Sequence, residues 1–323
     1  MRAIIMNSVG GPEVLVEKDV PTPVPRGREL LIAVKAAGVN PIDYKIRKSG
    51  VFGAGPGRIL GFDVAGVVHA AGPEAQDFKP GDAVFYAAEL AKNGAYAEFH
   101  VVDETIVARK PKNLDFNSAA ALPTAGLTAW QALIDRCHLT LGQTVLIHGG
   151  SGGVGSMAVQ LAHAAGAIVF ATCSGRNMDL VRSMGADRAI DHKTEDFSQI
   201  IKHEAASHGA PAAEPGGAAD VVFDCFGGDC VVRSIPITRN GGKIATIVNA
   251  NGDLSAGYRR NISLEYVFLN RGRAQLETLA SLAERGRIKP IVRAVLPLSA
   301  AAEAHRQLEA GGGFGKIVLH VAD

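Results

Sequence analysis

The chain has 323 residues, 47% of them hydrophobic, which is typical of a globular protein of about two domains with a large buried core. Its 33 Lys and Arg residues nearly balance its 32 Asp and Glu residues, giving a formal net charge of +1. This balance argues against a partner recognised by charge alone, such as nucleic acid or an anionic membrane surface.

The four cysteines are scattered along the chain and form no zinc-binding pattern. Cys137, Cys173, Cys225 and Cys230 include no CxxC pair. We therefore expect free thiols in a reducing compartment, and a cytoplasmic protein. The start of the chain lacks the apolar run of a signal peptide, and no stretch approaches about 18 consecutive apolar residues, so we expect no membrane span.

The first third of the chain is predicted to be rich in β-strands. The apolar runs in ELLIAVKAAGVN and GVVHAAG have strand length, and Gly and Pro punctuate their surroundings. After Arg136, strand-like runs alternate with helical ones; the strand-like runs are TVLIHG, AIVFATC, RAIDH, DVVFDCFGG and KIATIV. This alternation predicts βαβ units and a parallel sheet covered on both faces.

Two further segments complete the predicted organisation. Residues 205–219 are rich in Ala, Gly and Pro, which indicates a surface loop inside the sheet domain. The C-terminal part contains two helical runs, RAQLETLASLAERG and AAAEAHRQLEAG, and a final strand, GKIVLHV. This tail is too small to bury a core alone, so we expect it to return to the N-terminal domain.

The glycine-rich stretch HGGSGGVG contains the strongest motif in the sequence. Gly150, Gly152 and Gly155 form GxGxxG, directly after the predicted strand TVLIH and before a predicted helix. In that setting the glycines permit a tight turn, a close approach to a pyrophosphate and helix–strand packing. We therefore predict that Gly150, Ser151, Gly152, Gly153, Val154 and Gly155 bind a dinucleotide. A glycine-rich turn without a ligand is the alternative.

The residues beyond the motif favour NADPH over NADH. A site for NADH usually carries Asp or Glu about 20 residues after the glycines, but AIVFATCSGRN contains none. Ser174 and Arg176 stand there instead, and a cation with a hydroxyl donor suits a 2′-phosphate. His192, after the third strand, is a candidate for the same ribose. An ordinary surface arginine and a loop histidine remain the alternatives.

Several motifs occur in an order that resembles the medium-chain dehydrogenase/reductase superfamily, on its zinc-free quinone oxidoreductase branch. They are AAGVNPIDYKIRKSG, GFDVAGVV, GDAVF, NGAYAEFHVV, AAALPTAGLTAWQAL, the glycine motif, DVVFDCFGG and GGKIATI. The resemblance implies a GroES-like β-rich substrate domain, residues 1–121 and 270–323. It also implies a Rossmann domain with a doubly wound, six-stranded parallel sheet, residues 122–269. Phe226 and Val248 join the predicted cofactor-binding residues.

The resemblance also carries expectations about assembly and metal. The sixth strand, in ISLEYVFL, would form the sheet edge through which relatives often dimerise, so we expect a homodimer. Zinc-dependent members place their first cysteine ligand near Asn40, and their GHE motif is replaced here by Gly61-Phe62-Asp63. The four-cysteine lobe for structural zinc is missing as well. We therefore expect no metal.

Chemistry without a metal favours conjugated acceptors. Zinc is worth several kcal/mol as a Lewis acid, and without it simple ketones become difficult substrates. Hydride addition to an enone, enal or quinone leaves a delocalised anion, for which preorganised donors worth about 2.7–4 kcal/mol each can suffice. We therefore expect a quinone or an α,β-unsaturated carbonyl compound as substrate, bound beside the nicotinamide.

The predicted catalytic residues are Asn40, Asp43, Lys45 and Thr128. Asn40 would position the nicotinamide or a substrate carbonyl, and Lys45 would donate to the developing enolate. Asp43 would orient either Lys45 or the turn, and Thr128 would hydrogen-bond near the nicotinamide or its phosphates. The alternatives are backbone capping by Asn40 and Asp43 and a helix-interior Thr128. At the level of the whole chain, the rivals are a non-catalytic NADPH-binding protein and a zinc-dependent alcohol dehydrogenase.

Overall fold

The computed structural model describes residues 1–204, 207 and 217–323. It divides into two compact units. The first unit contains Met1–Leu127, Asn270–Gly286 and Pro290–Asp323, and the second contains Thr128–Leu269 and Arg287–Lys289. The sequence placed the first boundary after residue 121, whereas the first unit here extends to Leu127. Residues 205–206 and 208–216 of the predicted surface loop lie outside the described residues.

The elements follow one another in an order that changes from mostly β to alternating β and α. The strands of the described residues are β1 (Arg2–Met6), β2 (Leu15–Asp19), β3 (Glu29–Val39), β4 (Asp63–Ala71), β5 (Ala83–Ala87), β6 (Phe99–Asp103), β7 (Ala108–Arg109), β8 (Thr144–His148), β9 (Ile168–Cys173), β10 (Arg188–Asp191), β11 (Ala219–Asp224), β12 (Thr238–Thr246), β13 (Ser263–Tyr266), β14 (Val292–Pro297) and β15 (Lys316–His320). The α-helices of the same residues are α1 (Pro41–Ser49), α2 (Phe116–Ala120), α3 (Pro123–Trp130), α4 (Gly153–Ala164), α5 (Met178–Ser183), α6 (Phe197–Glu204), α7 (Cys230–Ser234), α8 (Ser255–Tyr258), α9 (Arg273–Glu284) and α10 (Ala301–Glu309).

The first unit is built on a mainly antiparallel sheet, as the GroES-like expectation requires. Its strand order is β14-β15-β3-β4-β5-β7, and β6 also pairs with β3. The final strand β15 returns to lie antiparallel to β3, with Ile317 opposite Val39. Through this pairing, the last strand of the C-terminal tail lies in the same sheet as the N-terminal strands. It also brings the start of β15 beside the end of β3.

The second unit contains the predicted parallel sheet. Its strand order in the described residues is β10-β9-β8-β11-β12-β13, and every pair is parallel. All residues of β8 and β11 are buried, which explains their near-continuous apolar sequences. The core includes Leu146, Phe170, Val222 and Ile244. The doubly wound Rossmann prediction is confirmed, and its sixth strand lies at the sheet edge as expected.

Two smaller features concern the cysteines and the helices. Cys137, Cys173, Cys225 and Cys230 are all free, and the first two are buried. Among the residues that the structure describes, no helix combines the length and the apolar character needed to cross a membrane.

Candidate cofactor site and active site

The predicted cofactor residues lie together where the strands of the parallel sheet end, on its carboxyl-terminal side. They follow the carboxyl ends of five strands: Gly150–Gly155 follow β8, Ser174 and Arg176 follow β9, His192 follows β10, Phe226 follows β11 and Val248 follows β12. In open α/β sheets, ligands bind at the carboxyl ends of the strands, at the point where the strand order reverses. Here the reversal lies between β8 and β11.

The three motif glycines are small for different reasons. A Cβ on Gly150 would lie 2.8 Å from the Cβ of Ala171, so β9 excludes it. A Cβ on Gly155 would press against the Gly149 carbonyl and lie 2.9 Å from the Gly150 Cα. A Cβ on Gly152 would meet, among the described atoms, only the Gly149 oxygen at 3.3 Å. Packing within the protein therefore accounts for Gly150 and Gly155, and the space beside Gly152 is open to a ligand.

The turn presents helix N–H groups and is held by hydrogen bonds from the neighbouring strand. Gly152 is the N-cap of α4 and has no side chain to satisfy the first-turn N–H groups. These groups and the helix dipole together attract an anion. Behind the turn, the Gly149 N–H donates to Thr172 Oγ1 at 3.2 Å, and the Gly150 N–H donates to the Thr172 carbonyl at 2.8 Å. The Asn177 amide donates to Ser151 Oγ at 3.2 Å.

The turn after β9 contains Ser174 and the exposed Arg176, and a carboxylate lies beside it. A Cβ on Gly175 would lie 2.6 Å from Asp191 Oδ2, at the end of β10. The sequence indicated His192 at this strand end as a candidate, but not Asp191. The signal was present in RAIDH, because the last residue of β10 must lie beside the end of β9 in a parallel pair.

A second carboxylate, that of Asp224, holds the chain segments that follow β11 and β12. Asp224 Oδ1 accepts hydrogen bonds from the N–H groups of Phe226, at 2.9 Å, and Gly227, at 2.8 Å, while Oδ2 accepts one from Thr246 Oγ1. The exposed Phe226 ring lies 6.1 Å from the His192 ring, measured between centroids. Val248 follows two residues after Thr246 and donates its N–H to Thr246 Oγ1. These residues therefore line the same edge as the glycine turn.

A dinucleotide fits this arrangement. The open side of Gly152 and the uncapped helix start suit a pyrophosphate, and Ser174 with Arg176 lies at the neighbouring strand end, where an adenosine ribose would reach. The fit depends on main-chain N–H groups and open space, both of which the structure contains.

In the first unit, Asn40 belongs to a buried ionic cluster. It follows β3 and is only 4% exposed. Its Nδ2 donates to Asp63 Oδ2 at 2.9 Å, and its Oδ1 accepts a hydrogen bond from Lys316 Nζ. Lys316 Nζ also lies 2.9 Å from Asp63 Oδ2, while Asp63 Oδ1 accepts from the Thr124 N–H at 2.7 Å. Both ends of the Asn40 amide are therefore already engaged.

Asp43 is completely buried and holds the turn in place. Its Oδ2 accepts from the Asn40 N–H at 2.6 Å and from the Tyr96 hydroxyl at 3.2 Å, and its Oδ1 accepts from the Gly61 N–H at 3.3 Å. Burial raises its pKa to about 7, although the Asn40 N–H and the Lys316 charge lower it. These bonds tie Asp43 to the turn, and among the described residues no hydrogen bond or ion pair joins it to Lys45.

A chain of hydrogen bonds leads from Asp43 to the C-terminal helix. The Tyr96 hydroxyl lies 3.3 Å from His305 Nε2, and His305 Nδ1 lies 3.3 Å from Arg47 Nη1. Burial and the Arg47 charge lower the pKa of His305 to about 3, so the ring is neutral. Since Arg47 can only donate, Nδ1 accepts and Nε2 carries the proton. Nε2 then donates to Tyr96, whose hydroxyl donates to Asp43.

The remaining predicted residues are distributed over both units. Lys45 is exposed on α1. Thr128 is buried within α3, and its hydroxyl has no hydrogen-bond partner among the described residues.

Sequence reasoning missed the partners of the Asn40 cluster. Lys316, Tyr96 and His305 lie far from Asn40 along the chain, and only strand pairing and helix packing bring them together. A usable signal was present in α1, where Arg47 falls on the same side as Asp43 and faces the core. Within the described ranges, no group of three or more His, Cys, Asp or Glu side chains is placed to hold a metal ion.

Comparison with known proteins agrees with this architecture. Residues 26–112 match the family model of the alcohol dehydrogenase GroES-like domain, and residues 184–319 match that of the zinc-binding dehydrogenases. A quinone oxidoreductase of Pongo abelii is 32% identical over 99% of this chain and 97% of its own length. The chloroplastic NADPH-dependent alkenal/one oxidoreductase of Arabidopsis thaliana is 35% identical over 99% of this chain and 79% of its own length.

Among solved structures, an NAD-dependent alcohol dehydrogenase is similar with a TM-score of 0.90 and 33% identity, covering 100% of both chains. The sequence similarity and the fold therefore agree over the full length of the chain. The protein belongs to the medium-chain dehydrogenase/reductase superfamily, on its quinone oxidoreductase branch.

Proposed function

We propose that the protein is an NADPH-dependent reductase that transfers hydride, without a metal, to quinones or to the conjugated C=C bond of enones and enals. The observation that carries this proposal is the glycine turn, where Gly152, unlike Gly150 and Gly155, has open space beside it. The relatives named quinone oxidoreductase and alkenal/one oxidoreductase support the substrate class.

The chemistry balances with one cofactor and one proton. When bound, NADPH supplies a hydride to the electron-poor carbon, and the π electrons move onto the carbonyl oxygen as an enolate. A proton from water then completes the product. Within the protein, exposed Lys45 is the proposed donor to the enolate oxygen, while buried Asn40 and Asp43 hold the end of β3 and the start of α1 in place.

The side chains at the equivalent of the zinc site support metal-free chemistry. Phe62 offers only carbon atoms, and the Lys316 ammonium already binds the free oxygens of Asn40 and Asp63. A divalent cation at these oxygens would have to displace a buried ammonium.

Arg176 and Asp191 make opposite contributions to the preference for NADPH or NADH. Arg176 would attract a 2′-phosphate, whereas the Asp191 carboxylate would repel it. We propose that Arg176 dominates. If Asp191 dominates instead, the enzyme prefers NADH, as the NAD-dependent structural relative does by name.

The test is steady-state kinetics with NADPH and NADH on a panel of quinones, enones and enals. Arg176→Ala should raise the KM for NADPH about tenfold or more and leave that for NADH nearly unchanged, because a charged hydrogen bond is worth about 1.5–3 kcal/mol. Asp191→Asn should lower the KM for NADPH. Arg182→Ala removes another exposed arginine, on α5, and serves as the control. Equal responses of both cofactors to Arg176→Ala contradict the assignment, and NADPH binding without turnover favours a non-catalytic role.

A further inference from the structure

Arg271 differs from the other partly buried arginines of the first unit. Its Nε donates to the Ala88 carbonyl at 2.6 Å. Within the described part of the chain, Nη1 and Nη2 have no hydrogen-bond partner, and neither nitrogen is sealed from solvent. Arg58, by contrast, donates both terminal nitrogens to carbonyls, of Ala91 at 2.9 Å and of Leu90 at 2.6 Å.

The charge of Arg271 is not neutralised by a neighbour. No carboxylate oxygen of the described residues lies within ion-pair distance of its guanidinium. Glu89 and Asp63, whose charges act on Arg271, have other partners, because Asp63 pairs with Lys316 at 2.9 Å and Glu89 pairs with Lys92 at 2.6 Å. Burial lowers the pKa of Arg271, which shows that its surroundings are partly dry.

Strand pairing places this cation next to the Asn40 cluster. Ala88 follows directly after β5, and its N–H donates to the Phe62 carbonyl at 2.6 Å. In the register of β4 and β5, Asp63 lies opposite Ala87. Asp63 in turn binds the Asn40 amide. Arg271 is therefore anchored at the same end of the sheet as Asn40, Asp63 and Lys316.

We propose that Arg271 is a specificity residue that binds a carboxylate carried by the substrate. This inference rests on the proposed function and names its substrate class: an enone or enal that also bears a carboxylate group. With Nε held by Ala88, the end-on pair Nη1 and Nη2 points two parallel N–H groups at one ligand, which is the geometry that matches a carboxylate. An unpaired guanidinium in a partly dry position gains most from such an anion.

The experiment compares a negatively charged hydride acceptor with its neutral methyl ester. The acceptor 4-oxopent-2-enoate and its methyl ester share the reacting C=C and ketone and differ in charge. We expect the wild type to prefer the acid in kcat/KM. Arg271→Met should lower kcat/KM for the acid about 10- to 100-fold relative to the ester, while the ester rate stays close to that of the wild type. Arg271→Lys keeps the positive charge but loses the two parallel N–H groups, so it should retain part of the preference for the acid.

Arg306→Met is the matched control, because it removes one positive charge from an exposed arginine paired with Glu303. It should leave the preference for the acid unchanged. An acid preference that is absent in the wild type, or that survives in Arg271→Met, overturns the proposal. Equal losses for acid and ester also overturn it, because they indicate a role in folding or at the shared ketone.

A binding measurement separates this proposal from the proposed reaction. Calorimetric titration of the saturated product 4-oxopentanoate and its methyl ester, with NADP⁺ present, requires no turnover. Tighter binding of the acid that disappears in Arg271→Met supports the carboxylate site even if no acceptor is reduced. Reduction of the ester with equal binding of acid and ester keeps the proposed function and overturns the role of Arg271.

Discussion

The glycine turn of the second unit and the Asn40 cluster of the first unit are built in opposite ways. The turn consists of main chain: the missing side chains at Gly150 and Gly155 allow it to pack, and the missing side chain at Gly152 leaves space for a ligand. The cluster consists of buried side chains, and its arrangement is stable because opposite charges, such as those of Asp63 and Lys316, lie next to each other. Adding atoms to the turn should therefore impair its packing or its ligand binding, and removing atoms from the cluster should destabilise the fold.

The largest expected effect comes from removing a charge from the cluster. Lys316→Met leaves the Asp63 carboxylate buried without its cation, and breaking a buried pair in this way costs about 3–5 kcal/mol of unfolding free energy. Urea denaturation measures the loss. Adding Asp63→Asn should recover part of it, since the uncompensated charge is then gone.

Lys48→Met is the control for this variant. Lys48 pairs with Glu309 but is half exposed, so its loss should cost no more than about 1 kcal/mol. A cost for Lys316→Met that is as small as that for Lys48→Met contradicts the picture of a charge-compensated cluster.

A smaller effect is expected when one carbon is added to the turn. Gly155→Ala places a Cβ against the Gly149 carbonyl and the Gly150 Cα, so we expect it to lower the unfolding free energy by about 1–3 kcal/mol. The added methyl group of Gly152→Ala meets, within the described part of the chain, only the Gly149 oxygen, at 3.3 Å, and should change stability by less than about 1 kcal/mol.

The same pair of variants separates packing from ligand binding. Gly152→Ala should weaken NADPH binding about tenfold or more, because its methyl group occupies the space left for the pyrophosphate. Urea denaturation and titration of NADPH fluorescence measure the two quantities. An unchanged NADPH affinity in Gly152→Ala would mean that the open side of this glycine faces no ligand.

The contrast also explains how far the sequence could lead. The turn was predictable because Gly150–Gly155 is contiguous and the strand and helix that flank it have clear periodic patterns. The parallel sheet, its strands and its edge were predictable for the same reason. The Asn40 cluster was only half predictable, because Asn40 and Asp43 lie in one motif while Lys316 reaches them from the last strand. Long-range pairing of β15 with β3 decides that contact, and no local pattern records it.

The smallest expected effect tests the direction of the hydrogen-bond chain that ends on Asp43. The folded-state pKa of Asp43 is raised from 3.8 to about 7, so folding retains a proton that the unfolded chain releases near pH 4. The stability that this group contributes is therefore complete below pH 4 and is lost as the pH rises through 7. The Tyr96 hydroxyl limits that loss, because it donates to the ionised carboxylate and lowers its pKa.

Tyr96→Phe should consequently cost more at high pH than at low pH. A hydrogen bond to a charged group is worth about 1.5–3 kcal/mol, against about 0.5–1.5 kcal/mol for a neutral one, so the cost at pH 9 should exceed that at pH 5 by about 1 kcal/mol. Urea denaturation of both proteins at the two pH values measures the difference. Tyr86→Phe is the matched control, since Tyr86 is equally buried but bonds His100, whose pKa burial lowers to about 4. Its cost should be the same at pH 5 and pH 9, and a pH-independent cost for Tyr96→Phe would show that the Tyr96 hydroxyl does not support an ionised Asp43.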